Sequence, residues 1–291
     1  MSHMRPIILI SITTCYLLIP LISCADDEDL KTDSSISYNF GSDTDDNTNQ
    51  QVQLNIELPG FQQLAAGYSK SSSDTSILNT SQQFISIATS PYETVSIGTE
   101  YSFWGKENSL ETRSFKSDIV VNYDSWSISL SPQLNIVSFF GENGNNKFDL
   151  YSQAASISVN YFGFDNYFIG ANYYSNRFAD DPFFFTNQTQ KNTVLSLVSE
   201  SAQLLMSSLE KYHSGLSVGR LFHWGSHWGS AEISWSESKT SFNPVKIHTT
   251  SLFTSLELSK RFNLNLSVTR QSSSIDSDPL FSFDTGIEIH W

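Results

Sequence analysis

Hydrophobic and polar positions alternate strictly over the last 11 residues of the chain, FSFDTGIEIHW. Counting from Phe281, every second residue is mostly apolar, and the residues between them are polar. Because successive side chains of a β-strand point to opposite faces, the pattern predicts a strand with one apolar and one polar face. This strand reaches the carboxyl terminus, where residues usually fray, so we expect some contact to hold Trp291 in place.

The same alternation recurs along most of the chain. It predicts strands near 35–41, 51–58, 62–71, 81–90, 93–104, 114–124, 125–140, 148–162, 166–176, 212–224, 229–240, 247–260, 263–271 and 281–291. The connections between them alternate between short and long, which is typical of a membrane barrel with turns on one side and loops on the other. The sequence therefore predicts an all-β fold, a single-chain antiparallel transmembrane β-barrel of about 14 strands, with 12 as the alternative count.

Aromatic residues gather at the ends of the predicted strands. A soluble β-sandwich would show the same alternation, so the placement of the aromatic residues decides between the two architectures. Rings at both ends of an outward apolar band are expected where the outside is lipid and its borders are wet. The residues interpreted as interface aromatics are Tyr101, Trp126, Tyr161, Trp224 and Trp228.

The first 25 residues have the pattern of a secretory signal peptide. Arg5 precedes an apolar run at 7–22, which is short for a membrane-spanning helix. Two processing routes fit the end of this segment. Signal peptidase cleavage before Asp26 is favoured, and lipidation at Cys24 is the alternative.

The remaining chain divides into an acidic leader at 26–34 and a barrel domain at 35–291. Both cysteines, Cys15 and Cys24, lie in the signal segment, so neither a disulfide nor a cysteine-based site is expected in the barrel. The formal net charge of the whole chain is −14. Such an acidic protein repels phosphate backbones, so nucleic acid is excluded as a partner.

The mature chain as a whole resembles a Gram-negative outer-membrane β-barrel. Its end resembles the carboxyl-terminal signal by which the barrel-assembly machinery recognises such proteins. The resemblance implies an outer-membrane location, contact with outer-membrane lipid and lipopolysaccharide, and a terminal aromatic that closes the barrel against the first strand. It is a resemblance of architecture, so it does not transfer a function. The residues of the assembly signal are Phe283, Thr285, Ile287, Ile289 and Trp291.

The inward-facing residues of these strands are mostly small and polar. Because barrel diameter grows with strand number, the predicted barrel has room for a water-filled lumen that passes small solutes or cations passively. Carboxylates in a confined passage attract cations and repel anions, so a porin-like channel with cation preference is predicted. The alternative is a non-conducting barrel that serves structure or adhesion through its loops. The predicted pore-lining residues are the acidic Glu57, Glu100, Asp118, Glu232, Glu257, Asp284 and Glu288 and the basic Lys116.

The other groupings of reactive residues do not predict a metal site or a catalytic site. His223 and His227 lack the further ligands of a metal site. Residues 41–49 (GSDTDDNTN) lack the distal Glu of a calcium loop. His213 and Ser214 would point to opposite faces of a strand and could not act together as base and nucleophile. No catalytic activity, metal or cofactor is therefore predicted.

Two features leave alternatives open at this level. The segment 177–211 carries apolar residues at helical spacing and either folds into the barrel mouth as a constriction or extends a pair of strands beyond the membrane. Arg220 falls in an outward series, where it either snorkels to the membrane border, marks a bulge, or shows a wrong register.

Overall fold

The computed structural model describes residues 34–45, 47–58, 62–72, 79–106, 110–140, 147–164, 166–179, 210–225, 227–241, 245–274 and 278–291. These residues form 14 antiparallel strands. None of the described segments is a helix of the length and hydropathy that crossing a membrane requires. The strands are β1 (Ser35–Asp43), β2 (Thr48–Leu58), β3 (Gln62–Ser72), β4 (Thr80–Tyr92), β5 (Val95–Lys106), β6 (Leu110–Tyr123), β7 (Trp126–Phe140), β8 (Lys147–Phe164), β9 (Tyr167–Phe178), β10 (Glu210–Trp224), β11 (His227–Thr240), β12 (Lys246–Ser259), β13 (Phe262–Ser273) and β14 (Leu280–His290).

Each strand pairs with its neighbours in sequence, and β1 pairs with β14, so the sheet closes into a barrel. The seam runs without a register shift from Ser35 opposite His290 to Asp43 opposite Ser282. The backbone N–H of Trp291 donates to the carbonyl of Ser34 at 3.1 Å, which holds the last residue as expected. Among the 14 described strands, closure leaves no sheet edge open, and this is what a sheet in lipid requires.

The predicted count of 14 strands is confirmed, and the alternative of 12 is wrong. The observed strands extend past the predicted ends on the side of the long connections. β6, for example, begins at Leu110 and not near 114, because residues 110–113 pair with both β5 and β7. Backbone pairing continues there although the side chains no longer alternate. We call this side of the barrel the loop end, and the side with the short connections and both chain ends the turn end.

The outer wall carries a continuous band of apolar side chains. On three adjacent strands, Leu216, Ile233 and Leu252 have exposed fractions of 58%, 55% and 51%. Leu216 lies opposite Trp235, and Ile233 lies opposite Leu252, so the outward series of neighbouring strands stay aligned. A soluble protein does not expose an apolar belt of this extent, so hydrocarbon is the medium that covers it.

Candidate functional site

The eight charged residues predicted to line a pore all lie on the inner face of the barrel. The strand pairing establishes this, because each of these residues comes directly before or after an outward-facing residue of its strand. Glu100 and Lys116 face each other across β5 and β6, next to the outward pair of Tyr101 and Phe115. The complete set is Glu57, Glu100, Lys116, Asp118, Glu232, Glu257, Asp284 and Glu288.

Most of these carboxylates lie in the half of the barrel nearer the turn end. Glu57, Glu257 and Glu288 are within two residues of the ends of β2, β12 and β14. The backbone N–H of Trp228 donates to Glu257 at 3.0 Å. Glu288 lies 3.6 Å from His290. These three carboxylates therefore form an acidic mouth at the turn end.

Lys116, predicted to be the basic residue of the pore, is already neutralised. Its Nζ lies 3.1 Å from Asp118 Oδ2, and Glu100 is its register partner on the neighbouring strand. The hydroxyl of Ser131 donates to the other oxygen of Asp118. A single cation among two carboxylates leaves this level of the inner wall negative.

The inner wall has a different character at the loop end of β6 to β8. Val137 and Leu150 are inward-facing neighbours that are fully buried, with exposed fractions of 0%. Next to them, Asn135 accepts hydrogen bonds from Ser114 at 2.7 Å and donates to Ser152 at 3.1 Å. This buried polar ladder ties three strands together. The loop end of this sector is therefore apolar and buried, whereas the predicted inward series is mostly small and polar.

A cleft of about 300 Å³ remains at the loop end beside the seam of the barrel. Its lining includes two carboxylates, of which Asp284 was predicted and Asp43 was missed. The sequence offered a signal for Asp43, since it continues the inward series of β1 by two residues, but the predicted strand ended at 41. The other lining residues are Gly41, Ser42, Asn47, Thr48, Asn49, Ser71, Thr269, Gln271, Leu280 and Ser282.

Asp43 is held by its own turn. Its Oδ1 accepts the backbone N–H groups of Asp45 at 2.9 Å and Asn47 at 3.0 Å, and its Oδ2 accepts the Asn47 side-chain amide at 2.9 Å. The run at 41–49 is therefore the end of one strand, a tight turn and the start of the next. Within the part of the chain that the structure describes, no three His, Cys, Asp or Glu side chains gather as a metal site.

Inward glycines let large neighbours lie flat against the wall. Phe84 is the register partner of Gly67, and Phe168 is the partner of Gly219. A Cβ atom at either glycine would overlap the ring. Because the rings cover the glycine backbone, they do not project across the lumen.

Four of the five predicted interface aromatics lie in outward series. Trp126 and Tyr161 are register partners with ring centroids 4.6 Å apart, and Tyr101 and Trp224 are each about half exposed or more, at 49% and 66%. Trp228 differs. It pairs with His223 on the inner face, with ring centroids 3.5 Å apart, so its interpretation as an outward anchor is wrong.

The error at Trp228 has a geometric reason. Both tryptophans follow a histidine in the repeat HWGSHWGS, but the β10–β11 turn lies between them. Trp224 pairs with His227 on the outer face, and this places Trp228 on the inner one. The same parity separates His223 from His227, so the two histidines cannot share a metal ion.

Arg220 is an outward residue in an unbroken register. It pairs with Tyr167 on β9 and Ala231 on β11. Its guanidinium carbon lies 5.2 Å from the centroid of the Tyr167 ring. A cation over an aromatic face near the turn end explains how the wall accommodates this charge, and neither a bulge nor a register error is needed.

The residues of the predicted assembly signal lie on β14 and just after it. Phe283, Thr285, Ile287 and Ile289 form its outward series and pair with β1 on one side and β13 on the other. Phe283 and Ile287 have exposed fractions of 54% and 52%. They are oriented toward lipid as the signal requires, and their recognition by an assembly machinery stays a prediction.

Several predictions concern residues outside the described part of the chain. The signal peptide, its two processing routes and nearly all of the acidic leader precede Ser34. Most of the segment 177–211 is also outside, since the description stops at Ala179 and resumes at Glu210.

Neither a protein-family profile nor a curated protein matches this chain by sequence. Solved structures share its architecture at low identity. The CymD monoaromatic hydrocarbon channel superposes with a TM-score of 0.51 at 8% identity, covering 89% of this chain and 88% of CymD. CdiB from Acinetobacter baumannii gives a TM-score of 0.50 at 10% identity, covering 89% of this chain and 60% of CdiB. The KdgM porin gives 0.41 at 10% identity over 88% of this chain and 99% of its own. The closed sheet, its apolar outer wall and the likeness to CymD and CdiB show that the chain has the fold of an outer-membrane β-barrel.

Proposed function

We propose that the barrel is a channel for the passive passage of small solutes and that it favours cations. The observation that carries the proposal is the charge of the inner wall. Eight carboxylates, the seven predicted ones and Asp43, share that wall with Lys116, which is itself ion-paired. At the loop-end rim, Lys106 and Glu210 add one charge of each sign and cancel.

The distribution of these groups supports a passage with two acidic ends. At the loop end, the cleft beside the seam offers Asp43 and Asp284. At the turn end, Glu57, Glu257 and Glu288 form the acidic mouth. A hydrated cation that enters either end meets negative charge in a confined, low-dielectric space, whereas an anion is repelled.

The similarity in fold to the CymD channel also supports conduction. The CymD structure is described as a channel for monoaromatic hydrocarbons, so a barrel of this shape is compatible with a continuous path. Identity to CymD is only 8%, so its solute is not carried over. For this chain the inner-wall carboxylates favour small hydrated cations.

Single-channel recording tests the proposal. Protein purified in its folded, heat-modifiable form and inserted into planar bilayers should give discrete current steps, and in a KCl gradient the zero-current potential should have the sign of K⁺ permeating faster than Cl⁻. The triple variant E57Q/E257Q/E288Q keeps side-chain size and hydrogen-bonding oxygens but removes the acidic mouth. Its permeability ratio of K⁺ to Cl⁻ should fall at least about twofold, because fixed charges in a confined passage set the local ion concentration.

A matched control removes carboxylates from the same end of the barrel but not from its inner wall. Glu93 and Asp124 lie in the turns after β4 and β6. Asp124 has a φ of 50°, a conformation that asparagine tolerates. The variant E93Q/D124N should keep the wild-type permeability ratio. A folded protein that gives no current steps would support the non-conducting alternative, and an unchanged ratio in the triple variant would contradict the cation preference.

A further inference from the structure

The cleft beside the seam of the barrel is negatively charged. Asp43 and Asp284 contribute carboxylates to its lining, and none of the 12 described lining residues is basic. The two basic residues that border the lining in sequence, Lys70 and Arg270, belong to the outward series of β3 and β13. Their side chains lie on the other side of the wall, so no basic side chain of the described lining neutralises the two carboxylates.

The turn between β1 and β2 fixes the position of Asp43 in this lining. Both carboxylate oxygens of Asp43 accept N–H groups of the turn. The turn is itself attached to β14, because the backbone N–H of Thr44 donates to the carbonyl of Phe281 at 2.9 Å and the N–H of Phe281 donates to the Thr44 hydroxyl at 3.3 Å. The carboxylate is therefore oriented before a ligand binds, which lowers the entropic cost of binding.

Two polar groups of the lining lack partners. Gln271 Oε1 is buried and accepts no hydrogen bond. Ser282 is only 7% exposed, and in the part of the chain that the structure describes its hydroxyl has no hydrogen-bond partner. The two residues are diagonal neighbours across β13 and β14, and Ser282 is the direct register partner of Asp43. Buried polar groups of folded proteins are nearly always paired, so an acceptor and a hydroxyl left unpaired at a cleft indicate a ligand that donates hydrogen bonds.

The arrangement of the acceptors favours an ammonium group over a guanidinium group. Asp284 Oδ2 already accepts the Ser267 hydroxyl at 2.9 Å, and its Oδ1 lies over Gly41. Asp43 uses both of its oxygens within the turn. A guanidinium binds best across both oxygens of one carboxylate, and neither carboxylate has both oxygens free. An ammonium has three N–H donors, which can reach separate acceptors on different strands.

The cleft also fits an organic molecule better than a metal ion. Its volume of about 300 Å³ is that of the smaller pockets that bind organic ligands. Calcium takes six or more oxygen ligands, and magnesium requires a nearly ideal octahedron. At no point of the described ranges do three His, Cys, Asp or Glu side chains come together.

We propose that this cleft is a binding site for a small organic molecule with a primary ammonium group. The N–H groups of the ammonium have Asp284 Oδ1, Gln271 Oε1 and the carboxylate of Asp43 as acceptors, and its charge offsets that of the two carboxylates. The hydroxyl and amide groups of the remaining lining suit a ligand that also carries hydroxyl groups. The inference rests on the proposed function only in naming the class of cation that enters the channel, since binding itself does not require conduction.

Binding of two matched organic cations to the purified, folded protein in detergent tests this site. Ethanolamine carries a primary ammonium, whereas choline has the same charge and the same hydroxyl group but three methyl groups in place of the N–H donors. Saturation-transfer NMR at constant ionic strength gives the dissociation constants. Ethanolamine should bind at least about tenfold more tightly, because choline leaves the acceptors of the cleft unpaired. Equal affinities would overturn the ammonium site, and tighter binding of Ca²⁺ in competition with ethanolamine would assign the cleft to a metal ion.

Two single substitutions locate the binding in the cleft. Asp284→Asn should weaken ethanolamine binding at least about tenfold, because it removes one charge and places an N–H donor where the free oxygen was. Gln271→Met keeps the length of the side chain and removes the unpaired oxygen, so it should weaken binding about fivefold. Its stability in urea should not fall, which shows that the loss of binding does not come from unfolding.

Asp45→Asn is the matched control, since Asp45 is an exposed carboxylate of the same turn that does not line the cleft. This variant should bind ethanolamine like wild type. Wild-type affinity in both Asp284→Asn and Gln271→Met would overturn the site. Because binding is measured without current, a protein that binds ethanolamine in this way but gives no current steps would overturn the channel and leave the site in place.

Discussion

Asp284 lies across the backbone of Gly41, its direct partner where β14 meets β1. Its Oδ2 accepts a hydrogen bond from Ser267 at 2.9 Å, so the carboxylate spans three strands at the seam. A Cβ atom at Gly41 would overlap this side chain. A side chain at position 41 would therefore displace the Asp284 carboxylate from the seam.

Gly41→Ala should destabilise the barrel by about 1 kcal/mol, because the Asp284 carboxylate must rotate out of its place and lose the bond to Ser267. Urea unfolding in lipid vesicles, followed by tryptophan fluorescence, measures the change. Gly98→Ala is the matched control, since a Cβ there would lie 3.4 Å from the Ala88 Cβ and make an ordinary contact. Equal stabilities of the two variants would contradict the role of Gly41.

Arg220 and Tyr167 should be energetically coupled. A double-mutant cycle with Arg220→Gln and Tyr167→Leu should give a coupling free energy of about 0.5–1 kcal/mol, the range for a partly exposed cation over a ring. The same urea experiment yields the four stabilities. Additive effects of the two substitutions would mean that Arg220 only snorkels to the membrane border.

Lys116→Gln should raise the preference for cations. The substitution removes a positive charge that lies 3.1 Å from Asp118 and so exposes more of the carboxylate field to the lumen. The zero-current potential in a KCl gradient should shift further toward the K⁺ equilibrium value. Lys70→Gln makes the same charge change on the outer wall and should leave this potential unchanged. An unchanged potential for Lys116→Gln would place this lysine away from the ion path.

Trp224 and Trp228 should report different media although they are close in sequence. Trp224→Phe should remove fluorescence that brominated lipids quench, because Trp224 faces outward. Trp228→Phe should remove fluorescence that iodide quenches, because this ring lies with His223 on the inner face. The reverse pattern would show that the register of the β10–β11 turn is wrong.

The sequence predicts this fold well because the alternation of apolar and polar residues indicates a strand and also shows which of its residues face lipid. From Phe281 to Trp291 the two series differ in polarity at nearly every step, so both the strand and its orientation follow. The predictive power ends where that contrast ends. Ile136 and Val137 are adjacent and both apolar, so alternation alone does not indicate that Val137 faces inward and is buried.

Turns set the second limit. The side-chain orientation in one strand predicts the orientation in the next strand only if the number of turn residues between them is known. The repeat around Trp228 does not reveal that number. Asp43 was missed for a related reason, since strand ends beyond the membrane are polar on both faces. The burial of Val137 and the cleft beside the seam depend on tertiary packing, which the local pattern does not contain.

Neighbouring residues on one strand provide the most direct test of an aqueous inner wall and a lipid-covered outer wall. Glu232 and Ile233 are adjacent on β11 and lie on opposite faces. In protein whose Cys15 and Cys24 are replaced by serine, Glu232→Cys and Ile233→Cys are each placed in lipid vesicles and treated with a charged, water-soluble thiol reagent. We expect the cysteine at 232 to react at least about tenfold faster, since thiolate chemistry needs water and hydrocarbon excludes the reagent. Equal rates at the two positions, or faster reaction at 233, would contradict the lipid-facing barrel and the channel together.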